Sequence, residues 1–299
     1  MALQKFAQKN AKWFILPALL CMLVVHAIPI LWGAYLAFLD LDIYTITRWS
    51  KAPFIGLHNF FTVFSPRVDT GAKFLRSIGT VVYYGMMTIP LSYCLGLLVA
   101  LLLNRQFWGR MVVRGLILLP YITPDSVVYN LWRFIFQARI GLVNKYLLRL
   151  GIIEEPYIWL VGDRALYAVM VASIWKGWPF ACLILLAGLQ SIPLELYEAA
   201  RIDGASRIQL FWHITFPLLK PVSGTLLLLS TIWNFHAFNQ FYILLGTDPG
   251  KAHVPSTFIL QEAFVNFHFG MGAAMSLFLT MVVLAMTFFI VRVRRGAGL

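Results

Sequence analysis

A set of uncharged apolar runs constrains the fold most strongly, because each is long enough to cross the roughly 30 Å hydrocarbon core of a bilayer. Four runs lack Lys, Arg, Asp and Glu, at residues 13–39, 77–104, 221–247 and 263–291. Two more, at 115–131 and 165–193, reach spanning length if each tolerates one ionisable residue, Asp125 or Lys176. We therefore predict one all-α membrane domain over 1–299 with six transmembrane helices, at about 13–39, 77–104, 113–133, 165–190, 217–245 and 269–293.

The composition agrees with a membrane protein. Hydrophobic residues make up 60% of the chain and charged residues 12%, which is more apolar surface than one soluble core can bury. A net charge of +12 suggests nucleic acid in a soluble protein, but here the charges lie at helix ends and in loops. Anionic lipid headgroups of the bilayer are the expected counter-charge, and no nucleic-acid partner is indicated. The cysteines, at 21, 94 and 182, lie in apolar runs without CxxC spacing and are interpreted as small buried residues rather than metal ligands.

The distribution of positive charge indicates the orientation. The 24 Lys and Arg divide equally between the two sides, but one half is concentrated in short tails and loops, where the positive-inside effect is counted. We therefore expect a multi-pass protein of the plasma (inner) membrane with both termini cytoplasmic. The run at 13–39 is about twice the length of a signal-peptide core and is interpreted as a retained first helix. The basic residues 1–12 before it fit either an interfacial helix or a disordered tail.

A polar segment at 191–216 separates the fourth and fifth predicted spans. Pro193 ends one apolar run, residues 194–203 have helical periodicity, and Gly204 ends that helix. Ser206 can cap a second short helix through residue 212, and Pro217 suits the first turn of the next span. The pattern predicts a cytoplasmic helix-turn-helix hairpin that could transmit the push of a partner. The alternative is that Glu-Ala-Ala at 198–200 is merely a good helix-forming string.

Three segments place polar and aromatic side chains inside predicted spans, at 121–125, 173–180 and 233–242. A carboxylate within a span is costly unless it faces a cavity or a partner, so Asp125 is the first candidate for contact with a solute. In the second segment Gly177 and Pro179 are expected to loosen the helix beside Lys176. Amides such as Asn234 are unfavourable against lipid. The alternatives are an Asp125–Lys176 ion pair between helices, Trp anchors at a kink, and amide hydrogen bonds between helices.

The polar segment resembles the EAA loop of ABC importer permeases. That loop reads Glu-Ala-Ala, three residues, Gly, nine residues, Ile, one residue and Leu-Pro, and residues 198–217 match every spacing, with Phe216 in place of Leu. Segments 14–18, 56–60, 118–120, 175–178 and 187–193 are similar to sugar-importer permeases of the maltose and glycerol-phosphate type. The resemblance implies a MetI-like ABC permease fold with a cytoplasmic coupling helix. It assigns coupling to an ATPase to Glu198, Ala199, Ala200, Arg201, Asp203 and Gly204.

The resemblance also implies a function. Such a chain is one permease of an ATP-driven importer that moves a sugar, here a neutral di- or oligosaccharide, from an extracytoplasmic solute-binding protein into the cytoplasm. Its expected partners are a second permease subunit, in a heterodimer, and two ATPase subunits at the hairpin. The sequence contains no G-x-x-x-x-G-K-[ST], so ATP and Mg are expected on the ATPase, with no cofactor, metal or enzymatic activity in this chain. The alternative is an ion-coupled secondary transporter, which acts without an ATPase and would need more intramembrane carboxylates than Asp125.

Residues of the sugar pathway follow from the same resemblance. Tyr121 and Asp125 fall where the maltose-type permease contacts its sugar, although that permease has a small hydroxyl residue at the position of Asp125. The other matched positions are Ser173, Gly177, Phe180, Asn239 and Gln240, which join Lys176 and Asn234 in the predicted pathway. The chain departs from the family at 246–250, where Gly-Thr-Asp-Pro-Gly replaces a Gly-Gly-Pro turn.

Overall fold

The computed structural model describes residues 15–296, with side chains to residue 293. Over that range the chain is helical apart from its turns and loops and one isolated antiparallel bridge between Leu39 and Phe54. We number the helices α1 (Ile15–Leu36), α2 (His58–Phe64), α3 (Asp69–Leu103), α4 (Arg110–Ile122), α5 (Asp125–Ile135), α6 (Leu142–Arg149), α7 (Ala165–Gln190), α8 (Leu194–Ile202), α9 (Arg207–Phe235), α10 (Asn239–Leu245), α11 (Pro255–Leu260) and α12 (Phe269–Gly296).

Five of these helices, α1, α3, α7, α9 and α12, are long and apolar enough to cross a membrane. The pair α4 and α5 passes the same test together and becomes a sixth crossing if the bent pair is counted as one span. The prediction of an all-α membrane protein is therefore confirmed. The helix predicted over 165–190 begins and ends at the expected residues, whereas the basic segment 1–12 lies outside the described residues.

The predicted helix at 113–133 is instead two helices that meet at an angle of 85°. Thr123 and Pro124 between them have extended backbones, with ψ of 133° and 143°. A residue that precedes proline is driven out of the helical region by the proline ring, so the Thr-Pro pair ends α4. Apolar composition alone does not reveal such a break.

The predicted helix at 217–245 is also shifted and divided. The chain becomes helical at Arg207, passes through a π-helical turn at Phe211–Thr215 and stays helical to Phe235. This wider turn lies just before Pro217, whose ring would crowd the preceding turn of a regular helix. A new helix, α10, starts at Asn239. On one side of the break, the side-chain amide of Asn234 donates to the carbonyl of Val81 in α3 at 2.9 Å. On the other side, Asn239 donates to Asp125 of α5.

Contacts divide the chain into two compact units. The first holds residues up to 75 together with 259–281. Its organising residue is Asn59, which is 5% exposed and donates from Nδ2 to the carbonyls of Ala37 and Leu39, each at 3.0 Å. Gly270 lies directly against the Leu39 carbonyl, where a Cβ has no room. The segment after α1 is thus held by an amide and a close backbone approach.

The second unit holds residues 76–258 and those from 282 onwards, and its core joins α3, α7 and α9. The buried members of this core are Ala100, Leu103, Ala181, Cys182, Leu185, Leu186, Leu189, Ile192, Leu219 and Leu226. Three of the ten are small, and small residues bring membrane helices close enough for dense packing, because lipid supplies no hydrophobic drive between helices. Cys182 is buried as predicted, whereas Cys21 and Cys94 lie on outward faces and are exposed.

The loop between α5 and α7 is organised by one buried amide. Asn144, on α6, donates to the carbonyls of Ala138 and Tyr157 at 2.9 and 2.8 Å. Its oxygen accepts from the indole of Trp159 at 2.7 Å. Asp163 follows Trp159 by a few residues and pairs with Lys251 at 2.8 Å. This hydrogen bond lowers the pKa of the Asp163 carboxyl.

Gly96 of α3 tests the close packing. A Cβ at this position would lie 2.7 Å from Ala181 Cβ and 2.8 Å from the Cys182 backbone nitrogen. Relieving these contacts would require a shift of the α7 backbone, which is costly. We expect Gly96→Ala to destabilise the protein by about 1–3 kcal/mol, as overpacking does elsewhere. The matched control is Gly79→Ala in the same helix, where a Cβ meets no atom within 4 Å. Thermal unfolding of the purified chain in detergent measures both; equal melting temperatures for the two variants would contradict the close approach.

Candidate functional site

A cavity of about 430 Å³ opens within the second unit. Its walls come from α3, α4, α5, α7, α9 and α10. The two interrupted spans, α4 with α5 and α9 with α10, thus both line it. All nine residues that the sequence placed on a solute pathway line it, namely Tyr121, Asp125, Ser173, Lys176, Gly177, Phe180, Asn234, Asn239 and Gln240. The fold thus brings together three segments that are far apart in sequence. That a solute contacts these residues remains a prediction.

Lys176 makes the central polar contacts of the cavity. Its Nζ lies 3.1 Å from Asp125 Oδ1, and it donates to the carbonyls of Thr123 at 2.7 Å and Pro120 at 3.5 Å. A lysine ammonium has three donors, so these acceptors occupy all of them. The Lys176 side chain is only 12% exposed.

The helix break explains why this charge pair forms. The end of α4 leaves carbonyls without intrahelical partners and a partial negative charge, which the Lys176 ammonium meets. Asp125 is the first residue of α5, where the helix carries a partial positive charge that favours an anion. The pair therefore stabilises both half-helix ends. It also keeps two charges in a membrane segment neutral overall.

Asp125 nevertheless stays available to the cavity. Its side chain is 39% exposed, and its second oxygen accepts from Asn239 Nδ2 at 2.8 Å. The ion pair that the sequence left as an alternative is present, and it lies inside the cavity rather than replacing it. Asp125 can thus belong to a structural pair and still offer carboxylate lone pairs to a ligand.

One wall of the cavity is aromatic. The rings of Tyr121 and Phe180 stack with centroids 5.0 Å apart, and Trp233 packs on Phe180 at 5.2 Å in a tilted arrangement. Such faces suit the C–H surfaces of a sugar ring. Trp233 lies in the segment 233–242, which the sequence analysis singled out for its amides, and it was not selected as a site residue.

The opposite wall comes from α3, which the sequence did not connect with the site. Tyr84 accepts a hydrogen bond from Gln240 Nε2 at 3.3 Å, and the hydroxyl of Ser173 is buried without a hydrogen-bond partner within the described residues. Asn234 Oδ1 is buried and has no hydrogen-bond partner within the described residues. A buried oxygen of this kind calls for a water or ligand donor. The only sequence signal for this wall was a pair of tyrosines at 83–84 in a run of aliphatic residues.

Gly177 acts by leaving space. A Cβ there would meet only Ser92 Oγ of α3, at an ordinary 3.6 Å, so the backbone at Gly177 borders the cavity without close packing. Helix α7 is continuous from Ala165 to Gln190, so Gly177 and Pro179 do not interrupt it, and the expectation that they loosen it stays a prediction.

The polar segment at 191–216 forms one short helix and a turn. Gly204 ends α8 with a φ of +81°, a conformation that side chains other than glycine rarely adopt. The hydroxyl of Ser206 and the amide of Gln209 form a reciprocal capping box at 3.4 and 2.8 Å. The second helix does not end at residue 212 as predicted, since the π-helical turn carries it into α9 without interruption.

This segment presents an open surface to a partner. Glu198, Ala199, Arg201, Asp203 and Gly204 are exposed, and Ala200 is half-buried. Large apolar side chains beside them are exposed as well, including Ile202 at 86% and Ile208 at 72%. The hydroxyls of Tyr197 and Thr215, 2.9 Å apart, tie α8 to the base of α9. A force on α8 would therefore reach a membrane-crossing helix directly.

Comparisons with known proteins agree with this arrangement. Residues 92–295 match the family described as binding-protein-dependent transport system inner membrane component. The chain is 36% identical to the trehalose/maltose transport system permease protein MalF of Thermococcus litoralis, over 94% of this chain and 92% of that protein. It is 35% identical to the sn-glycerol-3-phosphate transport system permease protein UgpA of Agrobacterium fabrum, over 79% of each. A chain of a bacterial ABC transporter involved in the import of alginate has the same fold, with a TM-score of 0.82 at 24% identity over 99% of both chains.

The charge pair makes a direct prediction. Lys176→Met leaves Asp125 with Asn239 alone and strips the α4 carbonyls of their cation, so we expect a loss of roughly 1–3 kcal/mol, less than for a fully buried pair. The double variant Lys176→Met, Asp125→Asn removes both charges and should recover part of that loss. Thermal unfolding in detergent measures the series. Strictly additive effects would show that the two residues do not interact.

Proposed function

This chain belongs to the family of binding-protein-dependent transport system inner membrane components, and from that premise we propose that it is one permease subunit of an ATP-driven ABC importer for a neutral di- or oligosaccharide. The observation that carries the proposal is the cavity, in which the nine residues predicted from the sequence meet. The names of its relatives point to the same class of protein, since they are permeases for trehalose or maltose and for glycerol phosphate.

The geometry of Lys176 favours a neutral solute over an anionic one. A phosphate or carboxylate needs a free cationic donor, and the three donors of Lys176 are already held by Asp125 and two backbone carbonyls. The exposed carboxylate of Asp125 would also repel an anion. Sugar hydroxyls can donate to Asp125 and to Asn234 Oδ1, while the rings of Tyr121 and Phe180 pack on the C–H faces.

The energy for transport enters through partners. We infer that two ATPase subunits, which hold ATP and Mg, engage the exposed residues of α8 and its turn, Glu198 to Gly204. A second permease subunit completes the translocation path, and an extracytoplasmic binding protein delivers the sugar. In this arrangement both termini and the 191–216 segment are cytoplasmic, and the chain itself is not an enzyme.

Replacing Asp125 tests the solute site. In the assembled importer, we expect Asp125→Ala to lower uptake of a radiolabelled neutral disaccharide about tenfold, the cost of losing a charged hydrogen-bond acceptor, with basal ATP hydrolysis and assembly unchanged. Asp163→Ala, which removes an exposed carboxylate paired with Lys251 outside the cavity, is the control and should retain uptake. Unchanged uptake by an Asp125 variant that assembles normally would show that the carboxylate does not contact the solute.

Replacing the coupling residues tests the route of energy. The double variant Glu198→Arg, Gly204→Pro reverses an exposed charge and removes the left-handed turn, so we expect the importer to insert normally while ATP hydrolysis no longer drives uptake. Glu155→Arg reverses an exposed charge elsewhere and serves as control. Unchanged uptake in the double variant, or gradient-driven transport by this chain without an ATPase, would overturn the proposal.

A further inference from the structure

A second, smaller cavity of about 150 Å³ lies between the end of α3, α4 and α7. Its walls are mostly apolar, including Ile117, Leu118, Leu183 and Leu186, and Leu183 is 45% exposed at its rim. Two long polar side chains reach it, Arg114 and Gln190. None of these residues belongs to the larger cavity. The site is therefore an apolar groove with a cation at one end.

Arg114 is only partly satisfied by the protein. One terminal nitrogen donates to the carbonyl of Leu103 at 3.0 Å, at the C-terminal end of α3. Its Nε is buried and has no acceptor among the described residues. A buried guanidinium donor without a partner is costly, and the acceptor that best matches its fork of N–H groups is a phosphate or carboxylate. The protein offers no carboxylate in this groove.

The surroundings identify the source of that anion. Arg114 lies one turn into α4, which begins at the exposed Arg110 and follows a connection that carries the exposed Arg105. Trp108 in the same connection is 100% exposed, as expected for an aromatic side chain at the boundary of a bilayer. Gln190 is the last residue of α7, immediately before the polar segment at 191–216. The groove thus opens where the helices leave the membrane and where lipid headgroups lie.

We propose that the groove between α3, α4 and α7 binds an anionic phospholipid, whose phosphate accepts from the Arg114 guanidinium and whose acyl chain lies along Ile117, Leu183 and Leu186. Basic pockets between membrane helices at a headgroup boundary are suited to such lipids. The cavity has the volume of about five water molecules, so it takes the phosphate and the first part of one chain while the rest stays in the bilayer. Because α7 leads directly into the polar segment at 191–216, the lipid braces the helix that ends at the coupling turn.

The test is native mass spectrometry of the full chain in detergent micelles, titrated with phosphatidylglycerol or with phosphatidylcholine. We expect the wild-type chain to retain one phosphatidylglycerol in preference to phosphatidylcholine. Arg114→Gln should weaken that binding about tenfold, through loss of a charged hydrogen bond. Arg110→Gln is the matched control: it removes the same charge from the same helix at an exposed position and should bind as wild type.

A second variant keeps the test informative if Arg114→Gln does not fold. Ala187, exposed at the rim of the groove, can be replaced by Phe to fill the apolar part while every charge is kept, and this variant should also lose the lipid. Three results would overturn the proposal: equal retention of the two lipids, equal losses in the Arg110 and Arg114 variants, or displacement of the lipid by inorganic phosphate, which would indicate a site for the free anion.

Discussion

The contact between Lys176 and Asp125 is the interaction on which the candidate site depends. A helix that breaks inside a membrane exposes carbonyls at one end and amides at the other, and neither lipid nor an apolar neighbour can satisfy them. Lys176 meets the carbonyls at the end of α4, and Asp125 begins α5, so a single ion pair stabilises both ends. The 85° bend that opens the cavity is thereby compatible with a membrane.

The remaining walls follow from close helix approaches. Gly96 lets α3 contact α7, and Gly85 lets the same helix receive the amide of Asn234, whose nitrogen would lie 2.5 Å from a Cβ there. Polar side chains can then bond across helices instead of facing lipid. The cavity is lined by polar and aromatic side chains, because the glycines bring α3 against its neighbours while the bend between α4 and α5 leaves space beside them. The polar segment at 191–216 is attached to the same framework through α7 and α9.

The sequence predicted those site residues that are costly to place in a membrane span. It did not predict those that reach the cavity only because of how the helices pack. Asp125 and Lys176 were singled out because charges in a span need an explanation, and they lie together in the cavity. Tyr84 and Trp233 were missed because their types are common in membrane helices. The break after Phe235 was missed because the run at 221–247 contains no Lys, Arg, Asp or Glu and has no proline near Phe235 to mark the end of a helix.

Hydropathy and spacing alone determined that the chain is an all-α membrane protein, that the segment at 191–216 is a polar turn, and which charged residues need a partner. These follow from one-dimensional properties, the length of apolar runs and the periodicity of helices. Only the tertiary structure decided that one predicted span is two helices, that Lys176 has no donor left for an anion, and that Arg114 has one unused. Hydrogen-bond satisfaction depends on which atoms meet in space, and no pattern along the chain contains that information.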